Sequence, residues 1–130
     1  MKKTVAIFGA TALFSLAYAA EQVHRPAPYR PFKGEYTMYS GDLDDQQAPT
    51  KEDRKLSFII DGQPAKEIFN AMPPDDKETC SEKKGARSRS KESVWCTFDP
   101  ADGYTCDFGF DLKTGKSIAG GICRQLRRPK

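Results

Sequence analysis

The stretch from Ser93 to Cys123 constrains the fold most, because it combines a strand pattern with three of the four cysteines and the only tryptophan. Within it apolar residues alternate with small or acidic ones, and the apolar set is Tyr104, Cys106, Phe108, Phe110 and Leu112. A period of two with one apolar face is typical of a half-buried antiparallel strand. The turn signal Thr114-Gly115 follows, so the stretch predicts a hairpin around a two-residue loop.

Residues 1–19 have the parts of a bacterial secretory signal peptide: two lysines, an apolar stretch through Leu16 and the A-x-A site Ala17-Tyr18-Ala19. The apolar stretch is too short for a spanning helix, so we expect cleavage near Ala19 and a periplasmic or secreted product without a transmembrane segment. Cleavage also removes two of the lysines that contribute to the net charge of +3. The mature chain is then nearly neutral, which disfavours a nucleic-acid partner.

The predicted hairpin sets a preferred disulfide pairing. A two-residue loop would place Cys106 opposite Cys123, at a position where α carbons lie about 4.5 Å apart and a disulfide can form. Four cysteines in an exported chain imply two disulfides, so Cys80 would pair with Cys96. The alternative joins Cys96 to Cys106 across the loop 99–103 and leaves Cys80 for Cys123. We favour the first pairing because it closes two local loops.

Three further segments complete the predicted domain. Residues 35–43 and 55–61 have strand patterns, and residues 64–72 predict a short helix whose apolar stripe is Ala65, Ile68, Phe69 and Met72. We therefore expect one small α+β domain, residues 35–124, in which an antiparallel sheet of about five strands carries one short helix and two disulfides. An extended Pro/Arg-rich arm, residues 20–34, precedes it, and a basic tail, residues 125–130, follows it.

The segment between Cys80 and Cys96 is polar and locally basic, and we expect it to be an exposed loop. The candidate contacts for an anionic surface are the cations of this loop and of the chain's end: Lys83, Lys84, Arg87, Arg89, Lys91, Arg124, Arg127 and Arg128. A loop fixed at both ends by a disulfide would pay less ordering entropy on binding. Whether the loop and the tail converge is left open by the sequence.

The sequence offers little for catalysis. The single histidine, His24, lies in the arm, so a Ser-His-Asp or Cys-His arrangement would depend on a residue outside the domain. Oxidised cysteines provide no thiolate nucleophile, and their spacing lacks the C-x-x-C pair typical of zinc sites. We therefore expect a non-enzymatic protein without a cofactor or metal.

The step Tyr104-Thr-Cys106 and the closing Cys123 resemble the Tyr-x-Cys strand of small periplasmic lysozyme inhibitors. The resemblance covers a short part of the chain, and the long strand meander of that family between these cysteines is missing. An exported scaffold with disulfides, exposed loops and no catalytic equipment favours a protein that binds another periplasmic or cell-envelope protein, as an inhibitor or immunity protein does, and the resemblance implies the same class. The alternative function is binding of anionic envelope material, peptidoglycan or lipopolysaccharide, through the basic loop and tail.

Overall fold

The structure is a computed structural model that describes residues 26–121. The predicted signal peptide, Cys123 and the basic tail lie outside the described residues, as do Arg124, Arg127 and Arg128. The elements are β1 (Gly34–Asp42), β2 (Asp45–Gln47), β3 (Lys55–Asp61), α1 (Gly62–Asn70), β4 (Arg87–Lys91), β5 (Val94–Asp99), β6 (Gly103–Asp111) and β7 (Ser117–Ile118).

The strands form one antiparallel sheet in the order β2-β1-β3-β6-β5-β4, and β7 pairs with the end of β6. The small α+β domain with an antiparallel sheet and one short helix is thus confirmed. The predicted number of about five strands is too low, because residues 26–121 contain seven. The two additional strands are β2, of only three residues, and β4, which lies where the sequence predicted an exposed loop.

The core lies between α1 and one face of the sheet. The even-numbered residues of β6 point to this face, and Cys106 pairs across the strands with Ile60 of β3 and Cys96 of β5. From the helix, Ala65 and Phe69 are fully buried, as the predicted stripe requires. The helix begins two residues before the predicted start and ends ahead of the prolines at 73 and 74, which cannot continue it.

The preferred disulfide pairing is wrong. Cys96 is bonded to Cys106, with their α carbons 4.0 Å apart, so neither Cys80–Cys96 nor Cys106–Cys123 can form. The physical reason is the β5–β6 hairpin, whose pairing runs from Val94/Phe108 to Asp99/Gly103 and places Cys96 directly opposite Cys106. Cys80 is also disulfide-bonded.

The β6–β7 hairpin, on which the predicted Cys106–Cys123 pairing depended, has a longer loop than the two residues predicted. The carboxylate of Asp111 accepts hydrogen bonds from the backbone N–H groups of Lys113 (2.8 Å) and Thr114 (3.2 Å), which stabilises a wider turn. The backbone N–H of Asp111 donates to the carbonyl of Lys116. Phe110 consequently pairs with Ser117, two positions away from the predicted register.

After β7 the chain crosses the face of the sheet opposite α1. The buried hydroxyl of Ser57 donates a 2.8 Å hydrogen bond to the carbonyl of Gly120 and fixes this crossing. A Cβ atom at Gly120 would lie 2.1 Å from the backbone carbon of Phe108, so only glycine permits the approach. Residues 119–121 therefore form one wall of a cleft on this face.

Candidate functional site

The helix covers only one end of its face of the sheet. It starts where β3 ends, and its buried Phe69 lies against Arg87 and Arg89 of β4, so it runs across the strands. A helix is about 10 to 12 Å in diameter, whereas a strand of nine residues such as β6 is about 30 Å long. Most of the length of the central strands extends beyond the helix.

Two cross-strand rows of apolar side chains occupy the uncovered part. The first row consists of Tyr36, Phe58, Phe108 and Val94. The second row consists of Met38, Leu56 and Phe110. We call these seven residues the aromatic patch. They line one surface about 14 Å across, because neighbouring strands are about 4.8 Å apart.

The aromatic patch is ordered within itself and open to solvent at its edge. The ring of Phe58 stacks on Phe108 at 4.7 Å between centroids and on Phe110 at 6.1 Å, nearly parallel to both. Tyr36 and Met38 are 75% and 45% exposed. Phe58, Phe108 and Val94 are partly buried and pack against the core, so the fully exposed part of the patch is its edge at Tyr36 and Met38. Exposed apolar surface beside a partly buried aromatic cluster is typical of interaction sites in soluble proteins, because leaving it in water is unfavourable.

Two of the cations predicted to bind an anionic surface, Arg87 and Arg89, form contacts within the domain. Arg87 binds the carboxylate of Asp75 through two nitrogens, at 2.7 and 3.0 Å, and Arg89 adds a third contact at 2.6 Å. These charge-assisted hydrogen bonds, from Arg87 first and then Arg89, lower the pKa of Asp75 to about 2. The segment before β4 is thereby tied to the edge of the sheet.

The same two arginines pack on the end of the helix. Their guanidinium groups lie 5.0 Å (Arg87) and 4.3 Å (Arg89) from the centre of the Phe69 ring, within cation–π range. Arg89 also donates a 2.9 Å hydrogen bond to the carbonyl of Phe69, in the last turn of α1. Arg89 is largely covered, its side chain being 12% exposed. These contacts are structural, and they contradict the prediction that residues 87–91 belong to an exposed loop.

The other predicted cations divide into two groups. Lys83 lies 2.9 Å from the carboxylate of Asp99 and 3.8 Å from that of Asp102. Its hydrogen bond to Asp99 raises the pKa of Lys83 and lowers that of Asp99. Lys84 and Lys91 are exposed and form no ion pair with another residue of the described range 26–121. Lys91 is paired with Val94, so it stands at the end of the first row of the aromatic patch.

A cleft of about 490 Å³ lies on the opposite face of the sheet. Its floor consists of odd-numbered residues of four strands, including Thr37, Ser57, Trp95 and Thr105, and its walls include residues 79–81 and Gly120–Gly121. Trp95 pairs across the strands with Asp107, and a Cβ at Gly121 would lie 2.5 Å from the Trp95 ring. The cleft and the aromatic patch are therefore on opposite sides of one sheet.

Residues 26–121 hold no cluster of three or more His, Cys, Asp or Glu side chains suited to a metal ion. In the same range, helices fall short of the length and apolar character needed to cross a bilayer.

The sequence pattern did not reveal either site. Alternation identified the aromatic face of β6 as apolar but assigned it to the core, since burial and exposure give the same period. The usable signal was the prediction of a single short helix, which is too small to cover a sheet of this size. For the cleft, the signal was the position of the only tryptophan on the polar face, at 95, among residues expected to be solvated.

Comparisons with known proteins do not assign the chain. No protein-family model matches the sequence, and searches of curated proteins and of solved structures give no significant match.

Proposed function

We propose that this protein is a non-enzymatic periplasmic binding protein, of the inhibitor or immunity type, that docks on another protein through the aromatic patch. The observation that supports it is the pair of partly buried apolar rows beside α1, whose edge at Tyr36 and Met38 is exposed. Aromatic residues and methionine are enriched in protein interfaces, where they contribute large areas at low entropic cost.

The partner surface that fits the patch is an amphipathic helix. The sheet already accepts α1 on this face, and helices pack with their axes about 8 to 10 Å apart, so a second helix fits beside the first. Its apolar side would lie on the stacked rings of Phe58, Phe108 and Phe110. Lys91 stands at the end of the first row, so an acidic residue at the end of the partner helix would complement it.

The alternative of binding to anionic envelope material has less support. Arg87, Arg89 and Lys83 already hold carboxylates of this domain, which leaves Lys84 and Lys91 as the unpaired cations of that segment within residues 26–121. Two exposed lysines, one in the turn before β4 and one at the end of β4, provide weak attraction at physiological ionic strength.

The test begins with photo-crosslinking in intact cells. A benzophenone amino acid placed at Met38 should capture one defined partner, whereas the same group at the fully exposed Tyr29 should not. The captured protein is then purified and its affinity measured for the parent and for the Tyr36→Thr/Met38→Thr variant. Threonine suits a strand, so the fold should persist while the affinity falls by at least about tenfold.

Charge reversal separates the two functions. Lys91→Glu should weaken binding of the partner several-fold, and Lys84→Glu, in the turn before β4, should leave it unchanged. Equal weakening by both reversals, together with full affinity of the Tyr36→Thr/Met38→Thr variant, would instead point to anionic material and refute the proposed docking surface.

A further inference from the structure

The two edges of the sheet differ in how far the chain covers them. At the outer edge of β4, the carbonyl of Ser88 accepts a 2.8 Å hydrogen bond from the backbone N–H of Asp76, and the carboxylate of Asp76 accepts a 3.2 Å hydrogen bond from the backbone N–H of Ser90. At the other edge, β2 pairs only with residues 40–42 of β1. Residues 34–38 are exposed, and in the described part of the chain they pair with β3 alone. We call their unpaired side the open edge.

Alternation fixes which backbone groups point out of the open edge. In an antiparallel pair, every second residue directs both its N–H and its C=O group to the same neighbouring strand. The odd-numbered residues of β1 face β3, because the N–H of Gly41 donates to the carboxylate of Asp53 and its carbonyl accepts from the ammonium group of Lys55, both at 2.8 Å and both on the β3 side. Continued across the sheet, the same alternation turns the even-numbered residues of β4 outward, as the bonds of Ser88 and Ser90 require. The outward-facing residues of the open edge are therefore Gly34, Tyr36 and Met38.

The open edge lacks the features by which proteins prevent strands from pairing. Proline, a bulge or lysine side chains usually protect an edge strand. Residues 34–39 pair with β3 in an unbroken register and include neither proline nor lysine. The outward N–H and C=O groups have no hydrogen-bond partner among residues 26–121. The arm before β1 also leaves the edge free, because Arg30 binds the carboxylate of Glu67 on α1. Another strand can therefore add here without displacing anything in the described structure.

A second copy of β1 is complementary to the open edge. A two-fold axis beside Tyr36 places this residue opposite its own copy and Gly34 opposite Met38, so every outward N–H and C=O group finds a partner. On the face of the aromatic patch, the long side chain of Met38 then lies over Gly34 of the second copy, which has no side chain. The two Tyr36 rings become cross-strand neighbours. The pairing thereby covers apolar side chains that are 75% (Tyr36) and 45% (Met38) exposed in one chain.

We propose that the protein forms a dimer by antiparallel pairing of two open edges. The assembly stops at two copies, because Asp76 closes the β4 edge against further strands. Glu35 and its copy lie about 8 Å apart on the other face, so their repulsion is screened at physiological ionic strength. A contact of residues 34–38 is much smaller than the roughly 20 to 30 residues a side of a stable interface. The dimer is accordingly a weak one that forms as the concentration rises.

The dimer is independent of the function proposed for the aromatic patch. A partner helix docks on the face of the patch, whereas the second copy pairs with the backbone at its edge. In the crosslinking experiment at Met38, a bond between two copies doubles the mass of the chain and is told apart from capture of a different protein. Either proposal can therefore fail while the other holds.

Sedimentation equilibrium of the mature protein measures the association. The mass should rise with concentration from that of one chain to that of two and no further. Tyr36→Pro removes the outward N–H at the two-fold axis, which has no partner in one chain. The variant should melt near the parent temperature and associate at least about tenfold more weakly, because hydrogen bonds between the copies are lost. The control Leu112→Thr removes an exposed apolar side chain elsewhere on the sheet and should associate as the parent does.

Amide hydrogen exchange followed by NMR identifies the edge that pairs. In dilute protein the amides of Tyr36 and Met38 should exchange rapidly, and both should become protected as the dimer forms. The amide of Thr37 faces β3 and should be protected at every concentration. Association through the faces of two aromatic patches would leave the exchange of Tyr36 and Met38 unchanged.

Three results would overturn the proposed dimer. One is the mass of a single chain at every concentration up to about 1 mM. The second is equal weakening of the association by Leu112→Thr and Tyr36→Pro, which would indicate non-specific apolar contact. The third is slow exchange of Tyr36 and Met38 in the dilute monomer, which would show that another segment of the same chain covers the open edge.

Discussion

Removal of the Cys96–Cys106 disulfide should cost this domain a large part of its stability. The bond closes a loop with a sequence separation of 10, for which the chain-entropy relation gives about 2.7 kcal/mol at 25 °C. Both cysteines are fully buried, and the sulfur of Cys106 lies 3.4 Å from the carbonyl oxygen of Ala65 in α1. The Cys96→Ala/Cys106→Ala variant also loses this packing, so about 2.7 kcal/mol is the lower bound that we expect.

Thermal and urea denaturation of the mature protein measure this loss. For a domain of roughly a hundred residues, about 2.7 kcal/mol corresponds to a fall of roughly 10 to 20 °C in the melting temperature. The Cys80→Ala/Cys123→Ala variant keeps the Cys96–Cys106 bond but removes the bond of Cys80, so it gives a second loss for comparison and not the baseline, which is the parent protein. A loss below about 1 kcal/mol in the first variant would refute the reasoning, because the loop entropy alone exceeds it.

A peptide map tests the pairing itself. Trypsin cuts after Lys91 and Lys113 and nowhere between them, so one peptide contains both Cys96 and Cys106. In the parent, this peptide should be released on its own and lighter by two hydrogens than its reduced form. The Cys80→Ala/Cys123→Ala control should give the same peptide. A peptide crosslinked to Cys80 or Cys123 would contradict the structure.

Three further changes test the packing. Gly120→Ala places a Cβ against the backbone of Phe108 and should lower the free energy of unfolding by about 1 to 3 kcal/mol in urea titrations. Phe69→Ala empties the centre of the core and should cost about 3 to 5 kcal/mol, measured in the same way. Asp75→Asn should destabilise the domain at neutral pH. Because the folded pKa of Asp75, about 2, is below its unfolded value near 3.9, this advantage of the parent should shrink as the pH falls from about 4 to 2 in pH-dependent denaturation.

The sequence predicted the elements whose pattern is strong and local. The helical stripe at Ala65 and Phe69 and the alternation along β3 and β6 each follow from one period, and each is present within two residues of its predicted bounds. These elements also bury apolar side chains against one another, so local preference and tertiary packing agree. The fold class could therefore be obtained without a structure.

The disulfide pairing could not be predicted from the sequence, because it depends on the register between neighbouring strands. A shift of one residue between two strands would move every side chain to the other face of the sheet, and the alternating apolar pattern excludes such a shift. The β6–β7 hairpin is shifted by two, which preserves the faces and leaves the pattern unchanged. The difference arises from the side chain of Asp111, whose hydrogen bonds to Lys113 and Thr114 widen the turn.

The strand β4 was missed because its side chains are charged or hydroxylic. Its sequence Arg-Ser-Arg-Ser-Lys does alternate, and the two faces differ, since Ser88 is buried while Arg89 lies across the Phe69 ring. Guanidinium groups can cover an aromatic core residue because they are planar and weakly hydrated. A search for apolar alternation does not detect a strand of this kind, so its cations were assigned to ligand binding.

The central strand β6 contributes residues to both the aromatic patch and the cleft. Phe108 and Phe110 belong to the aromatic patch, whereas Thr105 and Asp107 lie in the floor of the cleft, so neighbouring residues serve opposite faces. The Cys96–Cys106 bond joins β6 to β5 in the buried core. Because the aromatic patch and the cleft lie on opposite faces of the sheet, a partner docked on the patch as proposed would leave the cleft accessible. Loss of the disulfide should disturb both faces together, whereas a substitution at Tyr36 should affect the aromatic patch and spare the cleft.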